Sequence, residues 1–165
     1  MKCLKMVLVH DMGESLTGDI IPSDGVPKGP NPVLGSFSSL ANSEADKKYE
    51  KETLAIKYLS ILVEPTNPDF AAEIPSLFEE FEKGDTLEAR LARDLDLYER
   101  ALQAFEYEKR LRGTKRLDDM VDDLDEMVTP EIKDWAVKLS EEREAFWSRK
   151  IAGVVPIYVI GISSN

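Results

Sequence analysis

Apolar positions recur three and four apart along most of the chain, the spacing of helices that turn one face to a core. Over residues 2 to 16, Leu4, Val7, Leu8 and Met12 share one side with Asp11 beside them, and the pattern predicts a first helix. From residue 21 to 42 the run IPSDGVPKGPNPVLGSFSSLAN replaces periodic apolar residues with prolines, glycines and serines and reads as an irregular loop. After a cap at Ser43, Tyr49, Leu54, Ile56, Tyr58, Leu59 and Leu62 supply the apolar side of a second helix, which Pro65 and Pro68 end. DFAAEIPSLFEEFE, at 69 to 82, predicts a third helix, bent or delayed by Pro75 and closed by Gly84, with Leu77, Phe78 and Phe81 buried.

The longest periodic run covers residues 86 to 112, where Leu87, Leu91, Leu95, Tyr98, Leu102 and Phe105 fall on one face and mark a central core helix. Leu117, Met120, Val121, Leu124 and Met127 keep helical spacing through the acidic run DDMVDDLDEM. Its charges therefore read as a solvated face, not as a calcium loop, which would carry glycine at its sixth position. Thr129-Pro130-Glu131 is a start signal, threonine as cap and proline in the first turn, for a last helix through Trp135, Leu139, Phe146 and Trp147. No strand-rich region, internal repeat or glycine-rich phosphate loop precedes the closing IAGVVPIYVIGI, so the expected fold is all-α.

Length and charge narrow the function classes. The 165 residues suit one domain with a core of ordinary size. Lys and Arg total 21 against 32 Asp and Glu, a formal net charge of -11, which speaks against a nucleic-acid polymer or an anionic membrane as partner. A small anionic substrate stays compatible with that charge where a metal supplies the positive field. Cys3, the one cysteine, leaves no disulfide framework and no thiolate cluster. Charges interrupt the opening apolar run and no small-residue cleavage site follows it, so the expectation is a soluble cytoplasmic protein. The tail from Ile151 to Ile162 contains a proline and falls short of the roughly 20 apolar residues that span a bilayer.

Candidate chemistry concentrates in LVHDMGESLTGDIIP, from Leu8 to Pro22, where the single histidine, His10, stands next to Asp11 and is followed by Glu14 and Asp19. On a continuous helix His10, Asp11 and Glu14 would look toward one side, and Gly18 would break the helix with Asp19 at the mouth of the turn. Imidazole with carboxylates suits a divalent ion such as manganese, cobalt, iron or zinc better than calcium. Taken alone, each residue has a plainer role: His10 hydrogen-bonded within the helix, Glu14 an exposed helix glutamate, Asp19 a turn residue.

HDMGESLTGDIIP resembles the signature of the HD-domain phosphohydrolases, in the branch of 5'-deoxynucleotidases that remove phosphate from deoxyribonucleoside monophosphates. Residues 2 to 27, about 45 to 112 and, more weakly, 129 to 147 carry the resemblance. It implies an HD-domain helical bundle over residues 1–150 and a divalent metal: manganese, cobalt, magnesium or another first-row ion. Metal positions carried over are His10, Asp11, Asp96, Glu14, Asp19 and Ile20, the last through its backbone. Glu14 and Asp19 become the catalytic carboxylates, with Glu14 handling the proton. Asp11, Asp19, Ile20, Ile21 and Pro22 become the positions against a deoxyribonucleoside monophosphate. The distal ligand comes from ARDLDLYERALQAFEYE, from Ala92 to Glu108, where a Leu-Asp pair upstream of Leu-Gln-Ala maps to Asp96; the helical wheel instead favours Asp94, nearer the apolar stripe. A homodimer is the assembly that the family suggests.

The chain also departs from the family. The family's site takes a first histidine from a helix upstream of the His-Asp pair, whereas His10 is the only histidine here. The expectation is an N-terminally truncated bundle whose metal has lost a ligand. The loop at about 28–42 looks like an insertion, and the apolar tail 151–165 does not resemble the family's ending. Two functions stand side by side: a metal-dependent 5'-deoxynucleotidase, or a catalytically impaired HD-fold binding or interaction protein.

Overall fold

Helical spacing in the sequence becomes a helical bundle in the computed structural model, which describes residues 2–18 and 44–151 and has no strand among them. The elements are α1 (Lys2–Val9), α2 (Glu14–Thr17), α3 (Glu44–Val63), α4 (Pro68–Lys83), α5 (Leu87–Arg110) and α6 (Pro130–Ile151), with 3-10 turns at Asp118–Met120 and Leu124–Glu126. Ser43, the loop at about 28–42, Asp19, Ile20, Ile21, Pro22 and the tail beyond Ile151 lie outside the described residues. No described helix is long and apolar enough to cross a membrane.

Local chemistry sets several helix ends. Asn67 accepts the Phe70 N–H at 3.1 Å in front of Pro68, and Thr86 accepts the Ala89 N–H at 3.1 Å. Gly84 closes α4 at φ 65, a left-handed conformation that costs glycine little. Pro75 sits inside α4 without delaying or ending it. Burial of Ile74, Leu77, Phe78 and Phe81 along that helix outweighs the one backbone bond a proline forgoes.

The core has two parts joined by α5. Met6 and Val9 of α1, Ile56 of α3, Ile74 to Phe81 of α4 and Ala89 and Ala92 of α5 form the first. Farther along α5, Ala101 and Phe105 meet Leu139 of α6, while Met127, Ile132 and Ala136 form an adjoining cluster. Met6 and Ile74 are both 0% exposed. Met6→Ala or Ile74→Ala is therefore expected to cost about 2–5 kcal/mol in urea unfolding, and a loss below about 1 kcal/mol would show that the site collapses around the cavity.

Several faces differ from the sequence expectation. On α5 the buried side is Ala89, Ala92, Ala101, Ala104 and Phe105, while Leu87 is 80% exposed and Leu102 also reaches solvent. Small side chains let α1, α4 and α6 approach α5 closely, while Leu91, Leu95 and Tyr98 pack half-buried against the Met127 cluster as expected. On α3, Ala55 and Ile56 are buried while Leu54, Tyr58 and Leu62 are exposed. Trp135 is also exposed, although its ring meets Tyr98. The acidic run forms two 3-10 turns in place of one helix, and its carboxylates are not merely solvated: Asp118 meets Arg116 and Arg143, and Asp123 meets Arg100.

Candidate metal centre

The helix expected through residue 16 ends at Val9, and residues 10–13 turn before α2 begins at Glu14. Hydrogen bonds tighten here to three-residue spacing: Met12 N–H to the Val9 carbonyl, Glu14 to Asp11 and Ser15 to Met12. Gly13 is buried, and a Cβ on it would stand 3.4 Å from both the Cβ and the carbonyl oxygen of Glu52, so the missing side chain lets the turn press onto α3. The turn parts the side chains that a continuous helix would align: His10 meets Asp96 of α5, while Glu14 meets Lys48 of α3.

His10 Nδ1 lies 2.7 Å from the Val7 carbonyl oxygen, which can only accept, so Nδ1 is the donating nitrogen. Nε2 then faces Asp11 Oδ2 at 3.1 Å and Asp96 Oδ1 at 3.5 Å. Neither carboxylate is aligned as a hydrogen-bond partner, and the buried Nε2 is left without one. The ring is held from the side by Phe81, with centroids 4.8 Å apart. Burial alone lowers the imidazole pKa, but Asp11 and Asp96 more than reverse this and raise it to about 10.

That field favours a cation at the point Nε2 faces. One atom from each of His10, Asp11 and Asp96 lies within 4.8 Å of the others, and this group could hold a metal. Two carboxylates turned on one nitrogen favour a positive charge at that point: a proton on Nε2 in the metal-free protein, or a metal ion that takes its place. The donor set, one imidazole and two carboxylates, suits a divalent ion, and the Val7 carbonyl fixes the ring that would bind it.

The rival Asp94 turns elsewhere. It is 3% exposed, and its Oδ2 accepts the Val128 N–H at 3.1 Å and the Thr129 N–H at 2.6 Å, fastening the start of α6 to α5. Asp94→Ala should cost about 1–3 kcal/mol of folding stability by orphaning those N–H groups, with metal affinity unchanged, as paired urea and calorimetric titrations would read.

The structure thus brings His10, Asp11 and Asp96 together, and places Glu14 on a neighbouring arm with Lys48. Asp19, Ile20, Ile21 and Pro22 lie outside the described residues. Sequence reasoning passes over Lys48, Glu52, Phe81 and the Val7 carbonyl. Lys48 and Glu52 sit in EADKKYEKE, where every charge looks like helix surface, and only the fold brings Glu14 against them.

A family model described as HD domain matches residues 1–135. The 5'-deoxynucleotidase YBR242W of Saccharomyces cerevisiae is 35% identical over 148 residues, 89% of this chain and 55% of that protein. The 5'-deoxynucleotidase HDDC2 of Homo sapiens is 34% identical over 152 residues, 92% of this chain and 63% of that protein. Against these two curated relatives the chain spans a little over half to just under two thirds of their length. Among solved structures, the HD domain-containing protein YGK1 superposes with a TM-score of 0.58 at 29% identity, over 89% of this chain and 66% of that one.

Proposed function

The chain belongs to the HD domain family, and from that premise we propose that it is a metal-dependent 5'-deoxynucleotidase, hydrolysing deoxyribonucleoside 5'-monophosphates to deoxyribonucleoside and phosphate. Relatives named for that activity support the substrate class. The observation that carries the metal dependence is the buried Nε2 of His10, without a hydrogen-bond partner and facing Asp11 and Asp96.

His10, Asp11 and Asp96 would hold a manganese, cobalt or magnesium ion, which would supply positive charge against the phosphate oxygens and make a water nucleophilic near neutral pH. His10 contributes a neutral nitrogen whose tautomer Val7 fixes, and Asp11 and Asp96 contribute the balancing charge. Glu14 accepts a proton from the attacking water as its oxygen bonds to phosphorus. The bond from phosphorus to the 5'-oxygen breaks, and the proton passes to that oxygen as the nucleoside leaves. Asp19 acts as the second carboxylate. Asp11, Asp19, Ile20, Ile21 and Pro22 face the substrate in this proposal, with Ile20 acting through its backbone.

The test is phosphate release from deoxyadenosine monophosphate by the metal-stripped protein before and after manganese or cobalt is supplied. Restored turnover supports the proposal. A folded, helical protein without turnover overturns it in favour of an HD-fold binding or interaction protein, the reading favoured by a chain with one histidine and a cluster of three ligands among the described residues. A homodimer is proposed with it, supported by Leu54, Tyr58, Ile61 and Leu62 exposed along one side of α3, and sedimentation of the full chain tests it.

A further inference from the structure

Lys48 stands between two carboxylates from different elements. Its Nζ lies 3.3 Å from Glu14 Oε1, on the turn that follows His10 and Asp11, and 3.3 Å from Glu52 Oε1, one turn along its own helix. An exposed pair of this kind would be worth little, but here the Lys48 side chain is 28% exposed and that of Glu52 only 9%. Gly13 brings the backbone of the turn against Glu52 itself, so the span from Glu14 to α3 is set by close backbone contact as well as by charge.

The surroundings are acidic. Burial pushes the carboxyls of Glu52 and Glu82 up, and Glu14 and Glu82 add to the repulsion at Glu52. Burial also pulls the Lys48 ammonium down, but Glu52 and Glu14 outweigh it and hold the ammonium above its ordinary value. Lys48 thus meets one carboxylate next to the turn and one on its own helix.

We propose that Lys48, anchored by Glu52, is a positioning residue that holds the Glu14 carboxylate in the orientation the hydrolysis uses. This role rests on the reading of Glu14 as the group that takes the proton. Lys48 acts through Glu14 and touches none of the three residues grouped around His10 Nε2.

Kinetics with deoxyadenosine monophosphate and saturating manganese test it on the wild type, Lys48→Met, Lys48→Arg, Glu52→Gln, Glu14→Gln and the Glu14→Gln/Lys48→Met double variant. Urea midpoints of the same metal-free proteins supply a readout that needs no activity. Lys48→Met is expected to lower kcat about 10- to 100-fold with little change in KM, as losses of supporting contacts do. Lys48→Arg keeps most of the activity, and Glu52→Gln, which frees the lysine from its anchor, gives a smaller fall. In the Glu14→Gln background the lysine change costs no further kcat, and its shift of the urea midpoint shrinks, since the ion pair is already gone. A raised KM at unchanged kcat would make Lys48 a substrate-binding group instead and overturn the proposal. Equal losses in both backgrounds, or additive midpoints, overturn it too. An active wild type with Lys48→Met unaffected defeats this inference alone. A wild type that stays inactive with metal defeats the proposed function, and the positioning role with it.

Discussion

Asp96→Ala is expected to reduce manganese-restored phosphate release at least about 100-fold. Loss of an outer partner that only orients a metal ligand typically costs about 10- to 100-fold, and Asp96 would be a ligand itself. Among the described residues three side chains surround the point that Nε2 faces, and removing Asp96 leaves His10 and Asp11 as the two of them that remain to fix ion and geometry. The change should be nearly silent in folding, because the Asp96 side chain is 40% exposed and packs little of the core. Calorimetric titration of the metal-free protein with manganese separates this from a general defect. Affinity should fall sharply in Asp96→Ala and hold in Asp94→Ala. An Asp96→Ala protein that binds manganese as the wild type does would remove Asp96 from the centre. Asp11→Ala should behave as Asp96→Ala does, since its Oδ2 stands at 3.1 Å from the same nitrogen.

The second large effect is structural and lies at the other end of α5. Glu108 is 0% exposed and accepts four hydrogen bonds: from Arg143 Nε at 3.0 Å, Arg143 Nη2 at 2.8 Å, Trp147 Nε1 at 2.8 Å and the Leu117 N–H at 2.6 Å. Arg143 is itself only 6% exposed. Glu108→Ala leaves that guanidinium buried with its main partner gone and is expected to cost about 3–5 kcal/mol, the usual result of breaking one side of a buried pair. At about 2–4 °C per kcal/mol for a chain of this size, Tm should fall by roughly 6–20 °C. Glu108→Leu combined with Arg143→Met should recover much of the loss, because no uncompensated charge then remains. A Glu108→Ala protein within about 1 kcal/mol of the wild type would mean that water or rearrangement satisfies Arg143.

The same site carries a pH signature. Burial pushes the Glu108 carboxyl up, but Arg143, the Leu117 N–H and Trp147 outweigh it and hold the group below its ordinary value of 4.5. A carboxyl depressed by folding stabilises the fold above its unfolded value and loses that contribution as pH falls through the folded one. The stability gap between the wild type and Glu108→Gln should therefore be full at pH 7 and narrow below about pH 4.5 in urea titrations. A gap independent of pH would assign the effect to packing and not to charge.

Most of the longer helices and some of their ends were legible from neighbours in the chain. Gly84 after α4 and Pro130 at the start of α6 act through local chemistry that the sequence shows, whereas the end of α1 at Val9 and the 3-10 turns of the acidic run were not legible. The neighbouring His10 and Asp11 were legible too, within a motif whose resemblance pointed to the HD domain. The buried face was legible on α4, where Leu77, Phe78 and Phe81 are buried as expected, but not on α3 or α5. Spacing within a helix defines a stripe, but its phase against the core depends on which helices approach. The alanines of α5 are buried while Leu87 is exposed for that reason.

The site divides along the same line. His10 and Asp11 adjoin in sequence, but the choice between Asp94 and Asp96 turns on where the start of α6 sits, since Val128 and Thr129 draw Asp94 away. The tightened turn at residues 10–13, with Gly13 against Glu52, sends Glu14 toward Lys48 when helical spacing would have sent it beside His10. Residue types and local hydrogen bonds were the sequence's to determine. Meetings between groups far apart in the chain, Asp96 with His10, Lys48 with Glu14 and Glu108 with Arg143, were decided by tertiary packing, because only the bundle as a whole fixes the direction of each helix face.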